Sequence, residues 1–225
     1  MSRKLFLFDI EGTTTDINFV HKVLFPYSRE RMKEFVLKHE SELTSPLEEA
    51  AKTIEAEGGK TPDTATIIKT LVQWIDEDRK HKALKEIQGL IWEEGYKSGA
   101  FQGHVYPDVR PFFENLTASG YMIGIYSSGS VHAQKLILGN STSGDLTPFI
   151  KCYFDTQVGH KREKISYQNI AIKAQLPPPE IHFFSDIPEE LRAAELAGLR
   201  VTHVLREGTQ PSTYPGIKNF SEFRF

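Results

Sequence analysis

Leu5-Phe6-Leu7-Phe8-Asp9-Ile10-Glu11-Gly12-Thr13-Thr14-Thr15 is an unbroken apolar run that stops at two acids, a glycine and three hydroxyls. An apolar run bounded by polar residues suits a strand covered on both faces, as in a parallel sheet. In open sheets of that kind ligands sit just beyond the carboxyl ends of the strands, which is where a strand over residues 4–8 leaves Asp9 and Glu11. The competing reading of Asp-x-x-Gly is a local turn or a helix cap.

The totals set limits on what surrounds this stretch. The chain has 225 residues, 39% hydrophobic and 25% charged, enough for one domain plus a sizeable insertion. A net charge of −3 carries no basic excess of the kind that binds nucleic acid or an anionic membrane surface. The single cysteine, Cys152, excludes an intramolecular disulfide and any multi-cysteine metal site, and its apolar neighbours point to a core thiol in a protein of the reducing cytosol. Asp9 and Glu11 interrupt the first apolar run, so it is too short for a signal peptide or a membrane span; the expectation is a cytoplasmic protein.

Residues 17–100 change character. Ile67, Ile68, Leu71 and Ile75 mark one helical face, and Leu84, Ile87 and Ile91 another. Gly58-Gly59-Lys60-Thr61-Pro62 breaks the series, with Thr61 or Asp63 as the cap of the next helix. The stretch reads as an all-helical insertion. From residue 101 helices and strands alternate: a helix between Pro107 and Gly120, a strand over 121–126, a helix over 131–138, a short strand over 152–154, a helix ending at Ala174, a strand over 181–184, a helix stopping at Gly198, and a last strand over 201–205. This pattern predicts an α/β fold, a Rossmann-like three-layer sandwich with a parallel sheet, formed by residues 1–16 and 101–225 and carrying the helical insertion after its first strand.

In such a sheet the carboxyl ends of the strands share one edge, so Asp9, Ser127 and Asp186 converge there, with Lys161 at a nearby helix start. Each residue also has a plainer reading. Lys161 fits a solvated helix start, Ser127 and Ser128 fit helix caps, and Asp186 before Ile187-Pro188 fits another cap. Capping alone does not require all of them to share one edge. A carboxylate, a hydroxyl, an ammonium and a second carboxylate are a suitable set for phosphoryl transfer, with Asp9 forming an aspartyl phosphate. Anion meeting anion costs about 4 kcal/mol at about 4 Å and an effective dielectric of about 20. Mg²⁺ would offset that cost from Asp9 and Asp186, Lys161 would hold the phosphoryl oxygens, Ser127 with adjacent amides would donate to them, and Glu11 would move protons at the leaving oxygen. The histidines form no helical metal-ligand pair, and His160 reads as a neighbour of Lys161.

These residues give the chain a resemblance to haloacid dehalogenase-superfamily phosphatases. Asp9-Ile10-Glu11-Gly12-Thr13 resembles the first motif, Ser127 the second, Lys161 the third and Ser185-Asp186 the fourth. The superfamily phosphatases usually carry aspartate where this chain has Glu11, a position whose backbone carbonyl is a metal ligand in the superfamily. The departure narrows the resemblance. Residues 8–20, 90–96, 103–109, 126–130 (with Ser127-Ser128-Gly129) and Gly159-His160-Lys161-x-Glu163-x-x-Ser166-Tyr167 are similar to the enolase-phosphatases of methionine salvage, also called acireductone synthases.

That resemblance implies the substrate 2,3-diketo-5-methylthiopentyl-1-phosphate, enolised and then dephosphorylated to the acireductone. It implies one Mg²⁺ per chain, a helical cap inserted after the first motif, and a monomer. It further implies catalytic Asp9, Glu11 and Lys161, substrate contacts from Ser127, Ser128, Gly129 and Lys161, and a metal set of Asp9, Glu11 and Asp186. Enolisation needs a base, either Glu11 or a group from the cap edge. An apolar methylthio tail needs an apolar wall, for which Phe19, Val20, Trp92 and Phe101 are candidates, each also readable as core. Two alternatives stay open on the residues alone: a phosphatase of other small phosphomonoesters without enolase activity, and a non-catalytic module that binds phosphorylated metabolites.

Overall fold

A computed structural model describes residues 4–224 of the chain. They form two compact units, one of the residues through Ile17 together with those from Gln102 on, the other Asn18–Phe101. The sequence reading draws these lines at 16, 17, 100 and 101.

The Asn18–Phe101 unit is helical. A single turn, α1 (Ile17–Phe19), runs through a π-helical turn, Val20–Leu24, into α2 (Phe25–Lys38), followed by α3 (Thr44–Ala56), α4 (Thr64–Asp76) and α5 (Lys82–Ser98). Of the two caps expected for the helix after the Gly-Gly break, Asp63 is the one used: its carboxylate accepts from the Thr66 amide at 2.8 Å. The apolar stripes meet in one core around Met32, Val36, Leu71 and Ile87. Phe101 packs edge-on against Phe19, Tyr27 and Tyr96, and the Trp92 indole donates to the Leu24 carbonyl at 2.8 Å. Of the four residues named for an apolar wall, Trp92 is buried here and Phe19, Val20 and Phe101 are half-buried.

In the other unit six strands among the described residues make one sheet: β1 (Leu5–Phe8), β2 (Met122–Tyr126), β3 (Ile150–Phe154), β4 (Ile181–Ser185), β5 (Arg200–Val204) and β6 (Gly216–Ile217). All neighbours are parallel and the order is β3-β2-β1-β4-β5-β6. The strand over 201–205 is therefore not the last. β6 adds two residues beyond it, too few to show an alternating pattern in the sequence.

The side-chain period of two explains the Leu-Phe-Leu-Phe of β1. Leu5 and Leu7 enter a cluster with Tyr126, Phe183, and Tyr167 and Ile170 of the helix over Lys164–Ala174. Phe8, on the other face, meets Phe184 at 4.9 Å and Phe112 and Phe113 at 6.0 and 5.0 Å, from α6 (Val109–Ala118). Both faces of β1 are thus covered by helices, which makes three layers. The remaining helices are α7 (Val131–Gly139), α8 (Lys164–Ala174) and α9 (Pro188–Leu196). Cys152 on β3 is half-buried, and burial pushes its thiol up to about 11. No helix among the described residues is long and apolar enough to cross a membrane.

Three plainer readings of the edge residues fail here. Ser130, not Ser127 or Ser128, caps α7 by accepting from the Ala133 amide. Ile187 takes the cap position of α9, its amide held by the Ser185 hydroxyl, so Asp186 is not the cap. Lys161 precedes the first turn of α8 and is 5% exposed, not solvated.

Candidate active site

β1 lies between β2 and β4 in register, with Phe8 opposite both Ile125 and Phe184. The residues just past the carboxyl ends of these three strands therefore stand at one edge, the point where the strand order reverses and open α/β sheets form their ligand crevice. Asp9 follows β1, Ser127 follows β2, and Asp186 follows β4. The Asp9 amide is tied to the Phe184 carbonyl at 3.0 Å.

Lys161 reaches the same place from β3. A 3₁₀ turn, Thr156–Val158, leads to Gly159, whose φ of +132° and closeness to Ser166 leave no room for a side chain: a Cβ would stand 2.2 Å from the Ser166 hydroxyl. Three hydroxyls then clamp the turn, Tyr126 on the Gly159 carbonyl at 3.0 Å, Ser166 on the His160 carbonyl at 2.7 Å and Tyr167 on the Lys161 carbonyl at 2.7 Å. From this fixed base Lys161 Nζ lies 2.5 Å from Asp9 Oδ1 and 2.7 Å from Glu190 Oε2. Asp9 Oδ1 also accepts from the Ile10 amide at 2.8 Å.

The other predicted residues fall around this pair. Ser127 is fully buried; its hydroxyl donates to Glu11 Oε2 at 3.0 Å and accepts from the Gly129 amide at 3.0 Å. Ser128 and Gly129 are half-buried on the same turn. Asp186 is fixed through Thr13, whose hydroxyl accepts from the Asp186 amide at 3.1 Å and lies 3.4 Å from its Oδ1. Gly12 makes this possible. At φ +75° a Cβ there would stand 2.2 Å from Asp186 Oδ2, so a side chain at position 12 and the carboxylate of Asp186 exclude each other.

Sequence reasoning missed Glu190. It sits on the first turn of α9, accepts from the Ser185 hydroxyl at 2.9 Å and shares Lys161 with Asp9. No local pattern signals it, because its partner Lys161 lies on a distant turn that meets α9 only in the folded sheet. Arg206 and Asp108, which hold the carbonyl of Thr13 and each other, were also missed.

The charges do not balance. Burial raises the Asp9 carboxyl well above its ordinary value; Lys161 opposes this, while Glu190, Glu11 and Asp186 reinforce it. Burial likewise pushes Asp186 up to about 6. Burial works against the charge of Lys161, but Asp9 and Glu190 outweigh it and hold the ammonium protonated. Acids thus outnumber the one buried cation among them, and a further positive charge fits the site. Among the described residues no group of three or more His, Cys, Asp or Glu side chains stands as a ready metal site. Two carboxylates with a main-chain carbonyl remain a set suited to a hard cation that keeps much of its water, as magnesium does.

Comparison with known proteins agrees with this geometry. A profile of haloacid dehalogenase-like hydrolases matches residues 3–198. "Enolase-phosphatase E1" of Marinobacter nauticus is 45% identical over 97% of this chain and 96% of its own length. That of Citrobacter koseri is 48% identical over 95% of this chain and 93% of its own. Among solved structures, the UTR4 protein of Saccharomyces cerevisiae superposes with a TM-score of 0.82 at 31% identity, covering 99% of this chain and all of that one. A match of this length and identity shows that the chain belongs to the enolase-phosphatase family of the haloacid dehalogenase-like hydrolases.

Proposed function

We propose that the chain converts 2,3-diketo-5-methylthiopentyl-1-phosphate to an acireductone in methionine salvage, by enolisation and then phosphate release. The observation that carries this reading is the buried Asp9 carboxylate held by Lys161 at the switch point of the sheet, beside Asp186 and the Ser127–Glu11 pair. Binding alone needs no nucleophile so placed. In this reading Asp9, Asp186 and the main-chain carbonyl of Glu11 hold one Mg²⁺, which when bound offsets charge on the phosphoryl and enolate oxygens. Both contacts of the Asp9 carboxylate use Oδ1, which supports Oδ2 as the oxygen that attacks phosphorus. Lys161 neutralises the phosphoryl oxygens, and the Ser127 turn, with Ser128 and Gly129, orients them. Glu11, positioned by the Ser127 hydroxyl, takes the carbon-bound proton during enolisation and later serves the leaving oxygen and the attacking water. The protein works as a cytoplasmic monomer on a small phosphorylated diketone, and Asn18–Phe101 is the inserted domain of such an enzyme.

The test monitors the two half-reactions separately. Glu11→Gln supplied with the diketone phosphate and Mg²⁺ should lose enol formation and phosphate release together, each by about 100-fold or more. Enolisation at the unaltered rate in that variant would take Glu11 out of the first step. Phosphate release from the diketone phosphate by the unaltered protein without enol would contradict the enolase half of the proposal.

A further inference from the structure

Arg206, just past β5, is 8% exposed, and its guanidinium holds several groups at once. Nε donates to the Thr13 carbonyl at 3.0 Å, Nη1 pairs with Asp108 Oδ2 at 3.0 Å and donates to the Lys218 carbonyl at 3.3 Å, and the plane packs over Tyr106 at 4.1 Å. Asp108 stands just before α6, its Oδ2 also accepting from the Phe220 amide at 2.8 Å. The stretch from Gly103 to Val109 carries part of the family resemblance, yet the chemistry at Asp9 makes no use of Asp108. Arg206 Nη2 is buried with no hydrogen-bond partner among the described residues. As a stabilising device this is a poor arrangement, because a buried ion pair gains little over apolar packing and an unsatisfied N–H costs more. What the fork does provide is a fixed main chain at Thr13, and Thr13 is the residue whose hydroxyl holds both the amide and the carboxylate of Asp186.

We infer that the Arg206–Asp108 pair is a positioning device for the active site: it fixes Thr13, and through Thr13 it orients the Asp186 carboxylate. The inference rests on the reading of Asp186 as a ligand of the divalent cation. Neither Arg206 nor Asp108 touches substrate in this account; both act through Thr13. A lysine at 206 would keep the charge beside Asp108 but lack the planar fork that also reaches the Thr13 and Lys218 carbonyls.

The experiment is isothermal titration of Mg²⁺ into the substrate-free protein, with melting temperature as the control for folding. Asp108→Asn combined with Arg206→Gln removes both charges, so no lone charge stays buried. It should weaken Mg²⁺ binding about tenfold, as loss of an outer-layer partner does. In the same variant kcat at fixed Mg²⁺ should fall while KM for the diketone phosphate stays within about twofold. Thr13→Val should produce a similar loss of Mg²⁺ affinity, and the triple variant should lose no more than either, because both changes cut one chain of contacts. Arg206→Lys supplies the second arm, with weakened Mg²⁺ binding at a melting temperature close to that of the unaltered protein. Unchanged Mg²⁺ affinity in the folded variants, or losses that multiply in the triple variant, would overturn the inference. Asp186→Asn separates the two levels. If that variant binds Mg²⁺ as the unaltered protein does, the metal-site reading itself fails; if it binds weakly while the Arg206 variants do not, only the positioning role fails.

Discussion

Asp9 is under opposed demands: burial and three neighbouring acids favour its protonated form, whereas the proposed attack on phosphorus needs the carboxylate. Lys161 answers part of this at 2.5 Å, and the shortfall is what the proposed cation would meet. Gly12 is the residue on which this arrangement is least tolerant. Gly12→Ala forces a β-carbon into the space of the Asp186 carboxylate and should lower kcat by about 100-fold or more, the order of loss that an ångström of misplacement in an active site brings. Steady-state assays across a range of Mg²⁺ check this, and a loss under tenfold would show that the carboxylate has room to move. Asp9, Ser127 and Asp186 were legible because each ends an apolar run, and an apolar run fixes where a strand stops. Lys161 was legible only through its companions, since Lys161-Arg162-Glu163-Lys164 looks solvated and only the clamped turn buries it. Glu190 and Arg206 were not legible: their partners depend on how α9 and the segment after β5 sit against the sheet, which local pattern does not encode.

At the scale of elements, β1 organises the unit because its two faces are chemically different. Leucines face the cluster with Tyr167 and Phe183, and phenylalanines join the aromatic stack with Phe112, Phe184 and Phe220. The alternation was hidden in the sequence, because both kinds of residue are apolar and the run reads as uniform. Phe8 is fully buried and its ring meets rings from α6, β4 and the turn at Phe220. Phe8→Ala should cost about 3–5 kcal/mol by urea unfolding, from lost burial plus the cavity left behind. A cost under about 1 kcal/mol would mean that the stack does not hold the strand. β6 and the π-helical turn at Val20–Leu24 escaped the sequence reading for a shared reason, being too short to print a period.

At the scale of the whole molecule, the excess of acid ties stability to pH and to metal. Asp186 has a folded-state value of about 6 against an ordinary 3.8, so its contribution is present in full below about 3.8 and lost as pH rises through about 6; Asp9 acts in the same direction. Without metal the protein should therefore lose this contribution across that window. The proposed Mg²⁺ site would take the ionised form, so Mg²⁺ should raise the melting temperature more at pH 7.5 than at pH 5 and release protons as it binds. Calorimetric scans at the two pH values with and without Mg²⁺ decide the matter, and an equal rise at both would contradict the charge account. The most direct measurement concerns the nucleophile itself. Protein turning over the diketone phosphate with Mg²⁺ is quenched, reduced with borohydride and digested, so that an aspartyl phosphate is converted to homoserine at its position. The account predicts homoserine at position 9, with none there in Asp9→Asn and turnover in that variant below about one-thousandth of normal. Full turnover with position 9 unmodified, or homoserine found at another aspartate, would contradict it.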